Sequence, residues 1–269
     1  DLDMVQLIHD AFQKERVDLL DETSIERIEK LGDTSRIHFS RHGDKQHLDV
    51  DNILVAVGRV PNTSGFGLEN LGVKLNKNKT IKVDKYLRSS IPNIFACGDV
   101  AGPYQFTHMA GHQAWYATVN ALFAPFKKFA VDYSVVPWCT YTDPELARVG
   151  LSEDEAKANN IPHEVTTYGI DDLDRAITDR ADYGKVKVIT PPGKDKILGA
   201  AICGVHAGDL LAEFTLAMKH GIGLNKILGT IHPYPTMSEA NKMLAGAWRK
   251  NHAPAGVLRW LEKFHSWRR

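Results

Sequence analysis

The sequence has little that would place it in a disulfide scaffold, a metal centre or a membrane. Its three cysteines, Cys97, Cys139 and Cys203, lie far apart in apolar surroundings and form neither a CxxC nor a CxxxxC pair. We interpret them as small buried hydrophobic side chains rather than a redox pair, and we predict no metal site. No apolar run approaches the roughly 20 residues of a bilayer-spanning helix, and no charged-then-apolar leader opens the sequence. We therefore expect a cytoplasmic protein.

The chain also lacks an excess of charge of either sign. Its 33 Lys and Arg residues balance 33 Asp and Glu residues, so no global field directs it towards nucleic acid, and we expect no nucleic-acid partner. With 43% hydrophobic and 25% charged residues, its 269 residues are those of a globular chain long enough for two domains.

The first third contains a helix, a β-meander and a buried strand. Apolar residues at helical spacing predict a helix over residues 2–15. Short alternating segments separated by Gly-Asp turns predict three strands, over residues 23–30, 35–40 and 46–50. The continuous run ILVAV at residues 53–57 is typical of a strand buried on both faces.

Residues 91–99 (IPNIFACGD) are the most informative stretch. We interpret them as a short buried strand that ends at a glycine turn, and ligands of open α/β sheets lie beyond the carboxyl ends of such strands. Gly98 lets the backbone turn, which leaves the Asp99 carboxylate to accept a hydrogen bond from a ribityl or ribose hydroxyl. The alternative is that Gly-Asp is only a turn.

The second half alternates helices with antiparallel strands. Helical spacing predicts a helix over residues 107–123, and a crossing into a new domain follows near residues 133–137. A capping box, Ser152 with Glu155, opens a helix over residues 153–159. We predict strands and further helices as follows: strands at 146–150, 165–170, 184–190 and 197–205, a helix at 209–220 that stops at Gly221, and another from about Thr236.

Five ordered motifs are similar to those of the class I pyridine nucleotide-disulfide oxidoreductases, the family of dihydrolipoamide dehydrogenase and mercuric reductase. The motifs are VGRVPN at 57–62, FACGDV at 95–100, YTDPELARVG at 141–150, ILG at 197–199 and PTMSE at 235–239. The similarity runs from about residue 2 to residue 247. The sequence has neither the family's CxxxxC pair nor its glycine-rich cofactor turns. Its Gly65-Phe-Gly67 is not such a turn, because it is expected in a loop rather than between a strand and a helix.

The resemblance implies a carboxy-terminal fragment or a truncated gene product of such an enzyme. The implied fold class is α/β and α+β, with partial nucleotide-binding domains followed by an α+β dimerisation domain that has an antiparallel sheet. The implied boundaries are 1–57 for the end of an NAD(P)-binding domain, 58–133 for the end of an FAD-binding domain, 134–250 for the dimerisation domain and 251–269 for a basic amphipathic helix. A homodimer through residues 134–250 is implied as well.

The resemblance assigns cofactor-binding roles to three segments. Gly58 and Arg59 match a strand end that lies along the NAD(P) cofactor, although Arg59 is alternatively a surface charge. Gly98 and Asp99 match the site that binds a ribityl hydroxyl of FAD. The residues that match the backbone beside the flavin pyrimidine, at a helix start that favours an anionic flavin, are Gln105, Phe106, Thr107 and His108. His108 is alternatively a helix-cap or core histidine.

The catalytic motif departs from the common family pattern His-Pro-Thr-x-x-Glu. Tyr234 stands where that histidine would act as the acid/base for thiol chemistry, and Glu239 matches the glutamate that orients it. A phenol with an ordinary pKa near 10 is no base at neutral pH. Mercuric reductases resemble this chain in the tyrosine, so a metal ion is one candidate acceptor. His232 rotating into the site is an alternative that Pro233 and the spacing to Glu239 disfavour.

The tail, residues 251–269, is a predicted basic amphipathic helix. Mercuric reductases resemble one another in a carboxy-terminal cysteine pair, which this tail lacks. Its apolar side chains oppose Arg259, Lys263, Arg268 and Arg269. Such a helix either packs over its own dimerisation domain, which we prefer, or lies on an anionic membrane.

Two functions follow. The parent protein is expected to be an FAD-dependent oxidoreductase of cell redox homeostasis that passes hydride from NAD(P)H through FAD to a disulfide or metal-ion acceptor. The alternative is a dimerisation module without catalysis. In either case we expect the chain alone to bind neither FAD nor NAD(P) and to be inactive, because the phosphate- and adenine-binding elements of the family have no counterpart in it.

Overall fold

The computed structural model describes residues 1–268, with the side chain of Ala255 left aside. Arg269, which we assigned to the predicted tail helix, lies outside the described residues. Contacts divide the chain into two units, described separately below. One comprises residues 1–19 together with the residues from 134 onward, and the other comprises residues 20–133.

The chain forms eight helices and eight strands within the described residues, apart from two short 3-10 turns. The helices are α1 Leu2–Lys14, α2 Thr107–Phe123, α3 Glu153–Ala158, α4 Asp174–Thr178, α5 Ala207–Lys219, α6 Leu224–Leu228, α7 Glu239–Asn251 and α8 Ala255–Trp267. The strands are β1 Thr23–Leu31, β2 Thr34–Arg41, β3 Asp44–Val50, β4 Pro137–Thr140, β5 Glu145–Gly150, β6 Glu164–Gly169, β7 Lys185–Thr190 and β8 Gly199–Gly204. Most agree with the predicted elements to within two or three residues, whereas β4, α4 and α6 were not predicted.

The unit formed by residues 1–19 and the residues from 134 onward is built on a five-stranded sheet. Its strand order is β4-β5-β8-β7-β6, and every neighbouring pair is antiparallel, which confirms the predicted antiparallel α+β architecture. The turn at residues 191–194 joins β7 to β8 as predicted. The capping box at α3 is also confirmed, since Ser152 Oγ accepts the Glu155 N–H at 3.0 Å and Glu155 Oε2 accepts the Ser152 N–H at 2.8 Å.

The core of this unit lies between the sheet and helices α5, α6 and α7. Side chains from strands and helices are fully buried together there, and they include Val149, Val186, Val188, Ile202, Phe214, Leu224 and Leu244. The alternation along β5 and the helical spacing along α5 each direct one apolar face inward. Burial of this kind is the main source of stability in a domain, at about 25 cal/mol per Å² of apolar surface.

The other unit combines the β-meander with a looped segment and α2. Strands β1, β2 and β3 pair antiparallel in sequence order, as the alternation predicted. Helix α2 buries one stripe of its surface, Met109, Gln113, Ala117 and Asn120. Asn120 secures the loop that follows, because its side chain bonds the Phe129 N–H and C=O, both at 2.8 Å.

Two predicted strands of this unit are absent, and both predictions were wrong. Residues 53–57 form no strand, and Leu54 and Val57 are 92% and 85% exposed. Residues 91–97 contribute only an isolated bridge between Arg88 and Phe95. A strand needs a hydrogen-bonded neighbour, and in the described chain none lies beside residues 53–57.

The last helix, α8, forms where a tail helix was predicted. Our preferred interpretation was that its apolar face packs over its own domain, and the structure contradicts this: Val257, Leu258 and Trp260 are 51–62% exposed and Trp267 is 83% exposed. Among the described residues, no helix combines the length and apolar character needed to cross a bilayer.

Candidate functional site

On the cofactor side, the Arg59 side chain joins segments that are far apart in sequence. Its Nη1 donates to the Gln105 carbonyl oxygen at 2.5 Å and lies 3.6 Å from Asp99 Oδ2. The structure therefore brings three of the predicted cofactor-binding positions together through one guanidinium group.

Arg59 and Gln105 line an open cleft of about 560 Å³. Its lining comprises Ala56, Gly58, Arg59, Pro103, Tyr104, Gln105 and Phe106. The Asp99 side chain is 40% exposed and that of Arg59 is 63% exposed, so both charged groups remain accessible to a ligand. The cleft thus offers a cation and backbone groups, and the Asp99 carboxylate lies beside the Arg59 of its lining.

Gly98 and Asp99 belong to a short 3-10 turn, Gly98–Val100, rather than to a strand end. Gly98 has φ +78°, and a Cβ there would lie 3.2 Å from the Ala110 Cβ, so the position suits glycine on both counts. The buried Gln113 side chain secures the turn: its Oε1 accepts the Gly98 N–H at 2.6 Å, and its Nε2 donates to the Gly102 carbonyl and the Tyr133 hydroxyl, both at 2.8 Å.

The start of α2 presents Thr107 and His108 to solvent. Phe106 occupies the N-cap position, and within residues 1–268 no side chain caps this helix. The Phe106 and His108 rings stack with centroids 5.2 Å apart. Backbone N–H groups and the positive end of the helix dipole therefore face outward here, which favours an anionic group.

The residues present fit the sugar-alcohol and ring end of a flavin nucleotide. Asp99 can accept a hydrogen bond from a hydroxyl group, and the first turn of α2 can stabilise negative charge. By contrast, Gly65-Phe-Gly67 lies in a loop of bends and turns, as predicted, so it offers no helix N-terminus for phosphates.

Tyr234 lies in the other unit and is 70% exposed. Its hydroxyl donates to Asp174 Oδ2 at 2.8 Å. This hydrogen bond, together with the charge of Asp174, raises the pKa of the Tyr234 phenol above its ordinary value. The phenol is therefore a hydrogen-bond donor at neutral pH and no base for a thiol proton.

Glu239 and His232 each have hydrogen-bond partners other than Tyr234. Glu239 Oε2 accepts the Thr236 N–H at 3.1 Å. The His232 ring lies 3.0 Å from Glu213 Oε1 through Nε2 and 3.1 Å from the Thr230 carbonyl through Nδ1. Its side chain is only 6% exposed, so it is held against α5 instead of turning towards Glu239.

Sequence reasoning missed three residues that support these sites: Gln113, Asp174 and Glu213. Gln113 carried a signal, because it is a polar residue on the buried stripe of α2. Asp174 and Glu213 carried none, since they lie 60 and 19 residues from the side chains that they bond.

The cysteines are all free, and only Cys203 is fully buried. Burial raises the pKa of the Cys203 thiol, and likewise that of the Cys139 thiol, to about 11. Both are therefore protonated at neutral pH and unsuited to act as nucleophiles. Across residues 1–268, no three His, Cys, Asp or Glu side chains converge as a metal site would require.

Two sequence profiles match the chain. Residues 1–114 match "Pyridine nucleotide-disulphide oxidoreductase", and residues 136–245 match "Pyridine nucleotide-disulphide oxidoreductase, dimerisation domain". The second match covers the sheet and helices α3 to α6 together with the first half of α7.

Curated relatives and solved structures agree with these profiles. The dihydrolipoyl dehydrogenase of Buchnera aphidicola subsp. Schizaphis graminum is 38% identical over 229 residues, which are 84% of this chain and 48% of the relative. The mercuric reductase of Lysinibacillus sphaericus is 32% identical over 251 residues, 93% of this chain and 46% of the relative. The chain thus spans about half the length of the curated relatives it matches.

Among solved structures, the Cu(II) complex of the HOCl-induced flavoprotein disulfide reductase RclA from Escherichia coli superposes with a TM-score of 0.83. It is 28% identical, and the match covers 91% of this chain and 55% of that one. The ordered motifs, both profiles and these relatives agree, and the chain belongs to the pyridine nucleotide-disulphide oxidoreductase family.

Proposed function

We propose that the protein is part of a flavoprotein oxidoreductase that passes hydride from NAD(P)H through FAD to a disulfide or a metal ion. The observation that carries this proposal is the Arg59 guanidinium, which contacts the Gln105 carbonyl and approaches Asp99 beside an open cleft. This arrangement joins the segment assigned to NAD(P) with the two segments assigned to FAD.

The residues of these three segments have separate roles in this proposal. FAD, when bound, supplies the two-electron chemistry between the nicotinamide and the acceptor. Asp99 accepts a hydrogen bond from a ribityl hydroxyl, and Gly98 keeps the backbone clear of Ala110. The first turn of α2, from Thr107, stabilises negative charge near the flavin pyrimidine. The Gly58 turn lies along NAD(P).

On the acceptor side, Tyr234 is a hydrogen-bond donor and not a base. Relatives include a dihydrolipoyl dehydrogenase and a mercuric reductase, and a similar solved structure is a Cu(II) complex, which supports both a disulfide and a metal ion as candidate acceptors. An imidazole at position 234 would lie beside Asp174, which then takes the orienting role that the resemblance assigned to Glu239.

We further propose that residues 134–250 form a homodimer and that the domain boundaries at 57, 133 and 250 hold. The match of residues 136–245 to a dimerisation domain supports the dimer and the boundary at 133. Helix α5 supports it too, because Leu216 is 59% exposed on a helix whose Leu211 and Phe214 are buried. Light scattering should give twice the monomer mass at micromolar concentration, and the monomer mass would exclude the dimer.

The cofactor role is tested in the full-length protein by Asp99→Ala. Loss of a hydrogen bond to a charged acceptor should weaken FAD binding about tenfold or more, measured as flavin fluorescence released on dilution. Asp33→Ala, at an exposed hairpin carboxylate, is the matched control and should leave FAD binding unchanged. Equal FAD affinity in both variants would contradict the assignment of Asp99.

The acceptor role is tested by Tyr234→His in the full-length protein. Lipoamide or glutathione turnover should rise, by about 10²-fold if proton transfer limits the reaction, because an imidazole can take the thiol proton. Tyr234→Phe should lower activity but leave flavin reduction intact. Efficient dithiol turnover by the unmodified enzyme that neither change affects would mean that another group is the base.

The alternative proposal is a dimerisation module without catalysis. It is favoured by the five-stranded antiparallel sheet with its buried core and by the absence of an ordered strand at residues 53–57 of the described chain. For the 269-residue chain we expect a colourless preparation without NAD(P)H-dependent reduction of lipoamide, glutathione or mercuric ion. A full-length protein that is also without flavin would favour the module.

A further inference from the structure

Helix α8 has two distinct faces. Its apolar side chains recur three and four residues apart and form one stripe: Val257, Leu258, Trp260, Leu261, Phe264 and Trp267. The opposite stripe carries Arg259, Glu262, Lys263 and Ser266. At 3.6 residues per turn these two sets lie on opposite sides of the helix.

The apolar face is open. Trp260 is 62% exposed and Trp267 is 83% exposed, while Leu261 and Phe264 are only partly covered. The rings of Trp260 and Phe264 stack on each other at 5.6 Å, so part of the cover comes from the helix itself. Another surface would have to cover the remaining apolar side chains to remove them from contact with water.

Charge indicates which surface that is. The whole chain is neutral, yet residues 249–268 contain five Lys or Arg residues and one acidic residue, Glu262. Arg249 and Lys250, in the last turn of α7, are exposed and extend the basic surface towards α8. Near the other end the Arg268 guanidinium lies 5.6 Å from the centre of the Phe264 ring.

We propose that α8 docks on an anionic membrane surface, with its apolar face in the headgroup region and its basic stripe towards the water. Tryptophan suits such a boundary, because its ring is apolar and its N–H is polar. A second copy of α8 is a poorer occupant, since pairing two such helices would bring two positively charged segments together. An anionic surface is complementary to them.

The proposal is tested with the protein and large unilamellar vesicles of phosphatidylcholine containing about 30% phosphatidylserine. The protein should co-sediment with these vesicles at low salt, bind more weakly at high salt, and bind far more weakly to vesicles of phosphatidylcholine alone. Trp fluorescence should shift to the blue on binding. Trp260→Phe/Trp267→Phe should still bind and lose most of that shift.

Two variants separate the two faces. Arg259→Gln/Lys263→Gln should lower the partition coefficient about tenfold or more, since each basic residue near an anionic surface contributes about a fivefold effect. Trp260→Glu/Trp267→Glu should abolish binding. The matched control, Lys77→Gln/Lys194→Gln, removes two exposed lysines elsewhere and should change nothing. Because the α8 face is exposed, thermal unfolding should be the same in all three.

Three results would overturn the proposal. The first is an absence of binding to the anionic vesicles. The second is binding that is unaffected by Trp260→Glu/Trp267→Glu or equally strong on vesicles without phosphatidylserine. The third is a change of mass in solution on Trp260→Glu/Trp267→Glu, because the apolar face would then cover another copy of the chain.

Discussion

The five-stranded sheet and the apolar run at residues 53–57 show opposite outcomes for similar sequences. The run VKVIT in β7 and the run ILVAV at 53–57 are both rich in β-branched and aliphatic residues. Val186 and Val188 are 0% exposed, whereas Val55 and Val57 are 71% and 85% exposed. Strand β7 has a hydrogen-bonded neighbour on each side, β6 and β8, and residues 53–57 have none in the described chain.

An apolar run therefore favours burial but does not specify the partner strand that would provide it. Antiparallel strands find partners across short turns, as β7 and β8 do through residues 191–194. A parallel strand depends on elements distant in sequence. In this chain every strand of the five-stranded sheet has an antiparallel neighbour, and residues 58–59 are held by side-chain contacts such as that of Arg59 with Gln105.

The largest difference in stability is expected between truncating a buried side chain of the five-stranded unit and truncating an exposed side chain of residues 53–57. Phe214→Ala removes a side chain that is 0% exposed and should lower the free energy of unfolding by about 3–5 kcal/mol. Leu54→Ala, at a side chain that is 92% exposed, should change it by less than about 0.5 kcal/mol. Urea unfolding followed by circular dichroism measures both. Similar losses in the two variants would mean that residues 53–57 are buried in solution.

A smaller loss of stability is expected from replacing Gln113, the buried polar side chain that secures the 98–102 turn. Gln113→Leu leaves the Gly98 N–H and the Gly102 carbonyl without their partner and should destabilise by about 1–3 kcal/mol. Gln46→Leu, at an exposed position of β3, is the control and should have almost no effect. If Gln113→Leu were neutral in urea unfolding, the 98–102 turn would not depend on this side chain.

The smallest expected effect is on pH dependence. Hydrogen bonds from Lys157 and then Lys187 lower the pKa of Glu153 to about 2. Because this is below the ordinary carboxyl value, the stability from Glu153 is fully present above about pH 4.5 and is lost as the pH falls towards 2. Glu153→Gln should remove about 1–2 kcal/mol at pH 7, allowing for partial exposure, and flatten the profile over this range. Asp33→Asn should leave the profile unchanged.

Local patterns were sufficient for much of the fold. The alternation and Gly-Asp turns predicted the β-meander, and Ser152 with Glu155 predicted the start of α3, because each depends on neighbours a few residues apart. The strand at 53–57 was predicted wrongly because its burial depends on distant partners.

The site was predictable to the extent that motifs carried it. The family motifs pointed to Asp99 and Tyr234, whose roles remain proposals. The side chains that contact them were not predictable: Asp174 lies 60 residues from Tyr234, and Arg59 reaches Gln105 across 46 residues. No periodicity or spacing reports such pairs, since they form only when the chain folds.

Hydrogen exchange tests the central comparison most directly. In the 269-residue chain, the amides of β7 and β8 should exchange only through global unfolding, because each pairs within the sheet and lies in the core. The amides of residues 53–57 should exchange at nearly the rate of an unfolded peptide. Protection of residues 53–57 comparable with that of β7 would contradict this expectation, because it would show that this run has a strand partner in solution.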